Sequence, residues 1–332
     1  MSTGKNIMHR ATYKEAGVDV SLGDRCSKIA YGYAKQTFSS RKGMIGEPVN
    51  IEGGFSGVLD MGDFYLVQNS DGVGSKIEIA RLVGKYDTLG YDLLAMVADD
   101  AVCLGAEVIS MVNTIDTEKV DPRITEELMK GLTKACREQN IVIAGGEIAE
   151  MPDHIKGMTW NASAVGIVEK SKLITGKNIV KGDIIVGLQS RGFRSNGFTL
   201  VRHILKGDKK MGQVCLTPSV VYHRCVLDMV GAYKKKRIVN IHGIAHITGG
   251  GIYNNTGRIL SKGRKAIFNN LPDPRPIMKT LMEMGNVSET EAYKTWNMGV
   301  GMVLICEEKE VSKIQKIADN HGIKSQKIGY IQ

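Results

Sequence analysis

A chain of 332 residues with 42% hydrophobic content is long enough to bury two domains of roughly 150 residues each. No apolar run reaches the length of about 18 residues that a membrane-spanning helix needs, and the polar start lacks a secretory signal, so we expect a cytoplasmic protein without a membrane partner. The net charge of +9 is dispersed and aromatic residues make up only 6%, which disfavours nucleic acid as a partner and favours small anionic ligands.

Apolar periodicity predicts helices and strands in both halves of the chain. Helices are expected at 24–38, with one apolar face on a sheet, at 91–104, and after Asp121-Pro122, where an acidic N-cap precedes a proline at the first helical position. A last helix is expected along the apolar stripe that begins at Val311 and stops at His321-Gly322. Strands are expected at 64–68, 108–113, 141–144, 162–168, 184–188, 266–268, 300–306 and 326–331.

A polar, turn-rich stretch at 169–183 separates the two halves, and the predicted domains are 1–170 and 171–332. The strands and helices do not alternate as strict βαβ units, and no Gly-x-Gly-x-x-Gly follows a strand. The sequence therefore predicts an α/β fold of the α+β type, with helices layered on sheets, rather than a doubly wound Rossmann fold.

Residues 69–76, with the sequence Asn-Ser-Asp-Gly-Val-Gly-Ser-Lys, suit a metal-bridged nucleotide phosphate. Asp71 offers carboxylate oxygens to a divalent cation, while Gly72 and Gly74 let backbone N–H groups approach phosphate oxygens. Ser75 and Lys76 add a hydroxyl group and a positive charge. A plain turn is the alternative interpretation, because Asp-Gly and Val-Gly-Ser are common turn formers.

Three acids lie on the helix predicted at 91–104. Asp92 and Asp99 fall roughly opposite its apolar face, and Asp92 is expected to be a solvated flank residue. Asp100 borders the apolar face one turn before Gly105-Ala106 end the helix. Because another backbone can pack close to it there, we expect a functional role for Asp100.

Gly145, Gly146 and Glu147 follow the strand predicted at 141–144. A glycine pair with a carboxylate at a strand end is a plausible source of a further metal ligand beside Asp71. The alternative is a tight turn in which Glu147 caps the next helix.

Two glycine-containing segments of the second half are candidate anion sites. Ser190, Ser195 and Asn196 lie between a strand and a helix, where hydroxyl, amide and backbone N–H groups can bind a phosphate monoester. His246 stands just before the run Thr248, Gly249, Gly250 and Gly251. Exposed backbone beside an imidazole suits an anion or reaction site, and a purely structural histidine is the alternative.

Together these segments resemble the phosphoribosylformylglycinamidine cyclo-ligase family, also called aminoimidazole ribonucleotide synthetases. The resemblance starts with Tyr-Lys-Glu-Ala-Gly-Val-Asp at 13–19 and ends with Trp-Asn-Met-Gly-Val-Gly-Met at 296–302. The blocks between them lie at 53–55, 70–76, 87–93, 145–152, 195–197 and 246–251. Collinear matches at so many places are far more specific than any single motif.

The resemblance implies an N-terminal domain that binds ATP and dimerises through its strands into a shared barrel, followed by a C-terminal α/β sandwich. It implies that Asp71, Asp100 and Glu147 hold Mg²⁺ against the phosphates of ATP. The other residues expected to contact ATP are Lys14, Gly53, Gly54, Phe55, Gly72, Gly74, Ser75, Gly145 and Gly146. The residues expected at the ribose phosphate of formylglycinamidine ribonucleotide are Ser190, Ser195, Asn196, Thr248, Gly249 and Gly250.

The implied reaction is a ring closure of de novo purine biosynthesis, carried out by a homodimer. An amide oxygen leaves poorly, so ATP first phosphorylates the formyl oxygen, and the amidine nitrogen then expels phosphate to form 5-aminoimidazole ribonucleotide. Lys76 and Mg²⁺ are expected to neutralise charge on the transferred phosphoryl group. His246 and Asp100 are the candidates for proton transfer during closure.

Several positions depart from the family pattern. Asp99 stands where asparagine is usual before Asp100, Val108 replaces the proline of a Gly-Ala-Glu-Pro turn, and Asn113 stands where aspartate is common. Ile148 replaces a threonine. The extra acid at 99 and the lost one at 113 could move one charge within the site. Two alternatives therefore stay open: a relative similar to thiamine-monophosphate kinase, and a catalytically silent nucleotide-binding protein.

Overall fold

The computed structural model describes residues 10–332, which form two β-sheets and eleven α-helices. The helices are α1 (Val20–Gln36), α2 (Lys76–Val83), α3 (Leu89–Val102), α4 (Pro122–Gln139), α5 (Phe198–Leu205), α6 (Lys209–Cys215), α7 (His223–Val230), α8 (Gly251–Arg258), α9 (Pro276–Met284), α10 (Glu289–Thr295) and α11 (Val311–Asn320). The strands are β1 (Glu47–Pro48), β2 (Gly57–Asp60), β3 (Phe64–Gly72), β4 (Glu107–Thr117), β5 (Val142–Glu150), β6 (Met158–Glu169), β7 (Ile184–Gln189), β8 (Ile241–His246), β9 (Ala266–Phe268), β10 (Val300–Cys306) and β11 (Ser325–Ile331).

The first sheet has six strands in the order β1-β2-β3-β6-β4-β5. Its neighbours pair antiparallel except β4 and β5, which are parallel and are connected through α4. A parallel pair needs such a crossover connection. The predicted start of this helix is confirmed, because the Asp121 side chain accepts hydrogen bonds from the backbone N–H groups of Arg123 and Ile124 and Pro122 follows the cap. Helix α3 packs on β3, β6 and β4.

The second sheet has five antiparallel strands in the order β8-β10-β7-β11-β9. Separate apolar clusters contact its two faces, and all six residues of β8 are buried. Strand β8 was not predicted, because a strand that is buried on both faces has no alternation of polar and apolar residues.

The predicted mixture of helices and sheets in one α/β fold is confirmed. Within residues 10–332 the first sheet stays open, with β1 and β5 as its edges, so a single chain closes no barrel. The chain passes from the first sheet to the second between Glu169 and Ile184, around the boundary predicted at 170 and 171. The largest apolar cluster nevertheless joins Leu93 of the first half to Phe198 and Trp296 of the second. Independent folding of the two halves stays a prediction.

One local prediction is wrong: helix α1 does not pack one face on a sheet, because none of its residues is buried against the rest of the described chain. The strand predicted at 141–144 is longer than expected, since β5 continues through Gly145 and Gly146, which pair with Val112 and Asn113 of β4. This pairing excludes the alternative of a tight turn. A Cβ atom on Gly146 would lie 2.6 Å from the Asn113 carbonyl oxygen, so close strand packing accounts for that glycine.

Candidate active site

Asp71 lies at the end of β3, and a short loop at 73–75 connects that strand to α2. Its Oδ1 atom accepts a hydrogen bond from the backbone N–H of Gly72 at 2.7 Å. Burial raises the pKa of Asp71 to about 6, and the negative charge of Asp100 adds to the shift. Residues 69–72 belong to β3, so they form a strand rather than the turn that was the alternative. The raised pKa means that the Asp71 carboxyl group binds a proton more readily than an exposed aspartate does.

Asp100 approaches Asp71 from the last turn of α3. Its side chain is 16% exposed, and its Oδ1 atom lies within hydrogen-bond distance of His246 Nδ1, at 2.7 Å. Burial raises the pKa of Asp100 to about 7, although the positive charge of Arg258 and a hydrogen bond from Asn69 act in the opposite direction. Two carboxyl groups with raised pKa values favour the binding of a proton or a cation between them.

A chain of hydrogen bonds extends inward from Asp100. Arg194 Nη2 lies 2.8 Å from His246 Nε2 and 2.7 Å from Asp99 Oδ2. Asp99 Oδ1 accepts hydrogen bonds from the backbone N–H groups of Tyr222 and His223 at 2.8 and 3.0 Å. Burial, helped by Arg194, lowers the pKa of His246 to about 3, so its imidazole is neutral. Both ring nitrogens of His246 have partners, and a proton transfer through this residue would first require one of them to move.

Lys76 and Asp92 do not have the surroundings that the sequence predicted. Lys76 Nζ lies 2.7 Å from Asp92 Oδ1 and donates to the Thr217 carbonyl at 2.9 Å, and both charged side chains are fully buried. Ser219 donates to the same Asp92 oxygen through its backbone N–H and its hydroxyl. The prediction that Asp92 is solvated is wrong, because α3 is covered on almost every side. Lys76 is enclosed with Asp92, so in this conformation its ammonium cannot reach a transferred phosphoryl group.

Glu147 is far from the other two predicted magnesium ligands within one chain. It pairs in register with Thr114, which pairs with Asn161, which pairs with Gly72 beside Asp71. Three strand spacings amount to roughly 14 Å. Among residues 10–332, no three His, Cys, Asp or Glu side chains converge as a metal site. Three carboxylates of one chain therefore do not share an ion, since Glu147 lies exposed on edge strand β5.

The predicted glycine loop contacts the second half of the chain. Arg258, the last residue of α8, donates to the Gly54 carbonyl at 2.9 Å and lies over the Phe55 ring at 4.1 Å. Gly53 has a φ of +70°, and a Cβ atom there would lie 1.9 Å from the Arg258 carbonyl oxygen. This loop therefore adjoins Arg258, whose charge also acts on Asp100. Lys14 is exposed and forms an ion pair with Asp19 at 3.1 Å.

The predicted phosphate-binding residues meet beside the start of α5. The Ser195 hydroxyl is buried without a hydrogen-bond partner among the described residues. A Cβ atom on Gly249 would lie 3.6 Å from Asn196 Oδ1, which brings the turn before α8 next to Asn196. The carbonyl oxygens of that turn accept hydrogen bonds from Asn255, and this bonding fixes Thr248 and Gly249. Ser190 is turned toward its own loop, where its hydroxyl bonds to the Gly192 carbonyl.

Gly72, Gly74, Ser75 and Gly250 complete the predicted set. A Cβ atom on Gly72 would lie 2.2 Å from Asn161 Oδ1, and Gly74 has a φ of +56° in the loop before α2. The Ser75 hydroxyl lies 3.1 Å from Thr199 Oγ1 of α5. Gly250 has a φ of +94° and precedes α8. Gly74 also adjoins Ser195, because a Cβ atom on it would lie 3.6 Å from the Ser195 carbonyl oxygen.

Three neighbours of the site were not predicted from the sequence: Arg194, Arg258 and His223. Arg194 lies within the candidate anion-binding segment 190–197, but its partner Asp99 is 95 residues away in the sequence. The unusual Val108 is matched by His223, whose Nε2 atom accepts a hydrogen bond from the Val108 backbone N–H at 2.9 Å. A proline at 108 could not donate that bond.

The departures at 99 and 113 do not exchange one charge within the site. The charge of Asp99 is balanced by Arg194 in a fully buried ion pair. Asn113, on β4, instead accepts a hydrogen bond from Trp160 Nε1 of β6 at 3.0 Å. The two positions therefore have separate partners.

Family models match most of the chain. The model described as AIR synthase related protein, N-terminal domain, matches residues 53–168, and the corresponding C-terminal domain model matches residues 180–332.

No helix among residues 10–332 is both long and apolar enough to span a bilayer.

Named relatives agree with the family models. The chain is 37% identical to the phosphoribosylformylglycinamidine cyclo-ligase of Methanocaldococcus jannaschii, covering 96% of this chain and 92% of that protein. It is 38% identical to the protein of the same name from Thermococcus kodakarensis, covering 93% and 92%. A solved structure titled AaThiL complexed with AMPPCP and TMP is similar in fold, with a TM-score of 0.62 and 13% identity over 91% of this chain and 90% of that chain. The chain belongs to the phosphoribosylformylglycinamidine cyclo-ligase family of AIR synthase-related proteins.

Proposed function

We propose that this protein is an ATP-dependent ligase that closes formylglycinamidine ribonucleotide to 5-aminoimidazole ribonucleotide in de novo purine biosynthesis. The observation that carries the proposal is the 37% identity to a cyclo-ligase along 96% of the chain. The likeness to the ThiL structure concerns the fold alone, so it does not favour a kinase. A cytoplasmic location belongs to the same proposal.

The carboxyl groups of Asp71 and Asp100 fit a magnesium ion that accompanies ATP. Magnesium in nucleotide sites takes one or two protein carboxylates and fills its remaining positions with phosphate and water oxygens. The buried Oδ1 atom of Asn69, which has no hydrogen-bond partner among the described residues, is a further oxygen close to Asp100. When bound, magnesium supplies charge neutralisation for the phosphates.

The nucleotide site proposed here lies where the first half of the chain meets Arg258. Gly74, in the loop after Asp71, has a left-handed φ of +56° and would let the backbone there approach phosphate oxygens. The loop of Gly53 to Phe55 would cover the phosphates, and Arg258 would add positive charge. ATP as the nucleotide is part of the proposed cyclo-ligase reaction and rests on the identity to the named cyclo-ligases.

For the ribose phosphate of the second substrate we propose the pocket beside the start of α5. Ser195 Oγ is a buried donor without a partner in the described structure, and Asn196 and Gly249 lie next to it. A buried hydroxyl group without a hydrogen bond is costly, and a phosphate oxygen would satisfy it. This position places the substrate within reach of both halves of the chain.

The chemistry that this site would perform consists of activation and ring closure. ATP transfers its terminal phosphoryl group to the formyl oxygen, and ADP leaves. The amidine nitrogen then bonds to the formyl carbon while the carbon–oxygen bond breaks, and the oxygen departs in phosphate. Asp100, whose pKa burial raises to about 7, can hold or release a proton at its carboxyl oxygen.

The homodimer that the family implies would form through β5. This edge strand is exposed along seven of its nine residues, including Val142 at 62% and Ile148 at 47%. An open edge with apolar side chains invites pairing with another strand. We propose that a second copy pairs here and closes the shared barrel, and that Gly145, Gly146 and Glu147 then lie at the interface.

The test is ADP release by the purified protein with Mg²⁺ and ATP, with and without formylglycinamidine ribonucleotide. The proposal expects ADP only with the ribonucleotide, in equal amount to the aminoimidazole product. Thiamine monophosphate serves as the control substrate. ADP release with thiamine monophosphate alone, or ATP binding without turnover, would refute the assigned reaction.

A further inference from the structure

The Arg194 guanidinium is the most heavily bonded charged group behind Asp100. It is 1% exposed and contacts Asp99 Oδ2, His246 Nε2 and the Val220 carbonyl at 2.7 to 2.8 Å. Its carbon lies 4.9 Å from the centre of the Tyr222 ring. The backbone of Arg194 has a φ of +61°, a left-handed conformation that costs a non-glycine residue of order 1 kcal/mol. The surrounding structure therefore holds this side chain in one place at an energetic cost.

The contact with Arg194 determines which nitrogen of His246 carries the proton. A guanidinium has only donors, so the Nε2 atom that faces it must accept the hydrogen bond. Because Nε2 accepts, it carries no hydrogen, and the ring hydrogen lies on Nδ1, which faces Asp100 Oδ1 at 2.7 Å and donates to it. With the opposite tautomer, two donors would face each other at Nε2, and two acceptors would face each other at Nδ1. Arg194 thus orients the Asp100 carboxyl group through His246.

Asp99 makes this arrangement possible inside the protein. Its Oδ2 atom balances the charge of Arg194, and its Oδ1 atom accepts two backbone N–H groups at the start of α7. A buried charge without a partner is strongly unfavourable. Arg194 and Asp99 therefore form one unit, in which the Nη2 atom that bonds to Asp99 also contacts His246 Nε2.

We propose that Arg194 is a positioning residue of the ligase site, which holds His246 in its Nδ1–H form and thereby orients Asp100 for magnesium-bound ATP. This inference rests on the function proposed above and adds a residue to it. Partners behind a metal-binding group typically change metal affinity or activity by about 10- to 100-fold when removed. An effect of that size is expected at Arg194 although it touches neither ATP nor metal.

The first test is ¹⁵N NMR of protein labelled at histidine, with the His246 signals assigned by His246→Gln. The proposal expects a protonated Nδ1 and an unprotonated Nε2 in the unaltered protein. His242, on the same strand, bonds to Asp183 through Nδ1 at 2.8 Å and provides an internal reference. A proton on Nε2 of His246 would overturn the proposal without any variant.

The second test uses Arg194→Met combined with Asp99→Asn, which removes both charges but keeps an acceptor for the two backbone N–H groups. We expect a mixed tautomer at His246, an unchanged His242 signal, and a Mg²⁺ requirement for ATP binding that rises about 10-fold or more. Arg194→Leu combined with Asp99→Asn likewise leaves His246 Nε2 without a donor, and it should show the same changes if the methionine variant folds poorly.

The matched control is Lys76→Met with Asp92→Asn, which removes another buried ion pair, between α2 and α3. It should leave the His246 tautomer unchanged. An unchanged tautomer and Mg²⁺ requirement in both Arg194 variants would overturn the proposal. Because NMR and ATP binding need no turnover, they decide the role of Arg194 even if the unaltered protein releases no ADP with the ribonucleotide.

Discussion

Replacing Lys76 by methionine separates a structural from a catalytic role for this lysine. The change keeps most of the side-chain volume but removes the ammonium that lies 2.7 Å from Asp92 Oδ1. Asp92 would keep the two hydrogen bonds from Ser219, while its Oδ2 atom already has no partner among the described residues. The Thr217 carbonyl would lose its donor as well. The variant therefore leaves a buried carboxylate without a counter-charge.

The expected loss of unfolding free energy is about 3–5 kcal/mol, the usual cost of removing one partner of a buried ion pair. Both side chains are fully buried, so solvent does not screen the interaction. The double variant Lys76→Met with Asp92→Asn should lose about 2 kcal/mol less unfolding free energy than the two single variants lose together, because no buried charge is then left without a partner.

Urea unfolding followed by far-UV circular dichroism measures these differences. Lys170→Met is the matched control: Lys170 bonds to Asp60 at the surface, where solvent screens the ion pair, and its loss should leave the free energy of unfolding nearly unchanged. A Lys76→Met protein that loses less than about 1 kcal/mol but no longer releases ADP would refute this reasoning. Lys76 would then act on the phosphoryl group, as the sequence suggested.

Three further outcomes follow from the structure. Burial lowers the pKa of His223 to about 3, so between pH 7 and pH 5 only the unfolded imidazole gains a proton, and the folded protein loses stability. His223→Gln should reduce this loss in the free energy of unfolding by about 2 kcal/mol, as measured by urea unfolding at each pH. An equal loss in both proteins would contradict this. Gly53→Ala would bring a Cβ atom into collision with the Arg258 carbonyl, and strain of about 1.4 kcal/mol should raise the Kd for ATP about tenfold in calorimetry. Gly57→Ala, whose Cβ would have its nearest neighbour at 3.5 Å, should leave the Kd unchanged. Ile148→Lys should convert a dimer to a monomer in light scattering, and a dimer that persists would exclude the β5 interface.

The sequence predicted elements whose signals are local. The cap at Asp121 and the carboxylates at 71 and 100 depend on neighbouring residues or on motifs, and the structure brings these two carboxylates together from β3 and α3. The surroundings of Asp92 could not be predicted in this way. A helical pattern identifies one apolar face, but α3 is covered by both halves of the chain, so a residue opposite that face is also buried.

Contacts between distant residues were equally out of reach. Arg194 and Asp99 are 95 residues apart, and only the packing of the loop before α5 against α3 makes them an ion pair. The change from proline to Val108 looked like a loss in the sequence. In the structure the Val108 backbone N–H donates a hydrogen bond to His223 Nε2. The two residues are 115 positions apart, so no local sequence pattern could indicate this contact.

The most direct measurement of the proposed reaction follows the formyl oxygen. Formylglycinamidine ribonucleotide labelled with ¹⁸O at the formyl group is incubated with the protein, Mg²⁺ and ATP, and the released inorganic phosphate is analysed by mass spectrometry. If ATP activates the formyl oxygen, one ¹⁸O atom appears in each phosphate as the aminoimidazole product forms. Phosphate without the label, or label released into water, would contradict the phosphoryl transfer on which the proposed function rests.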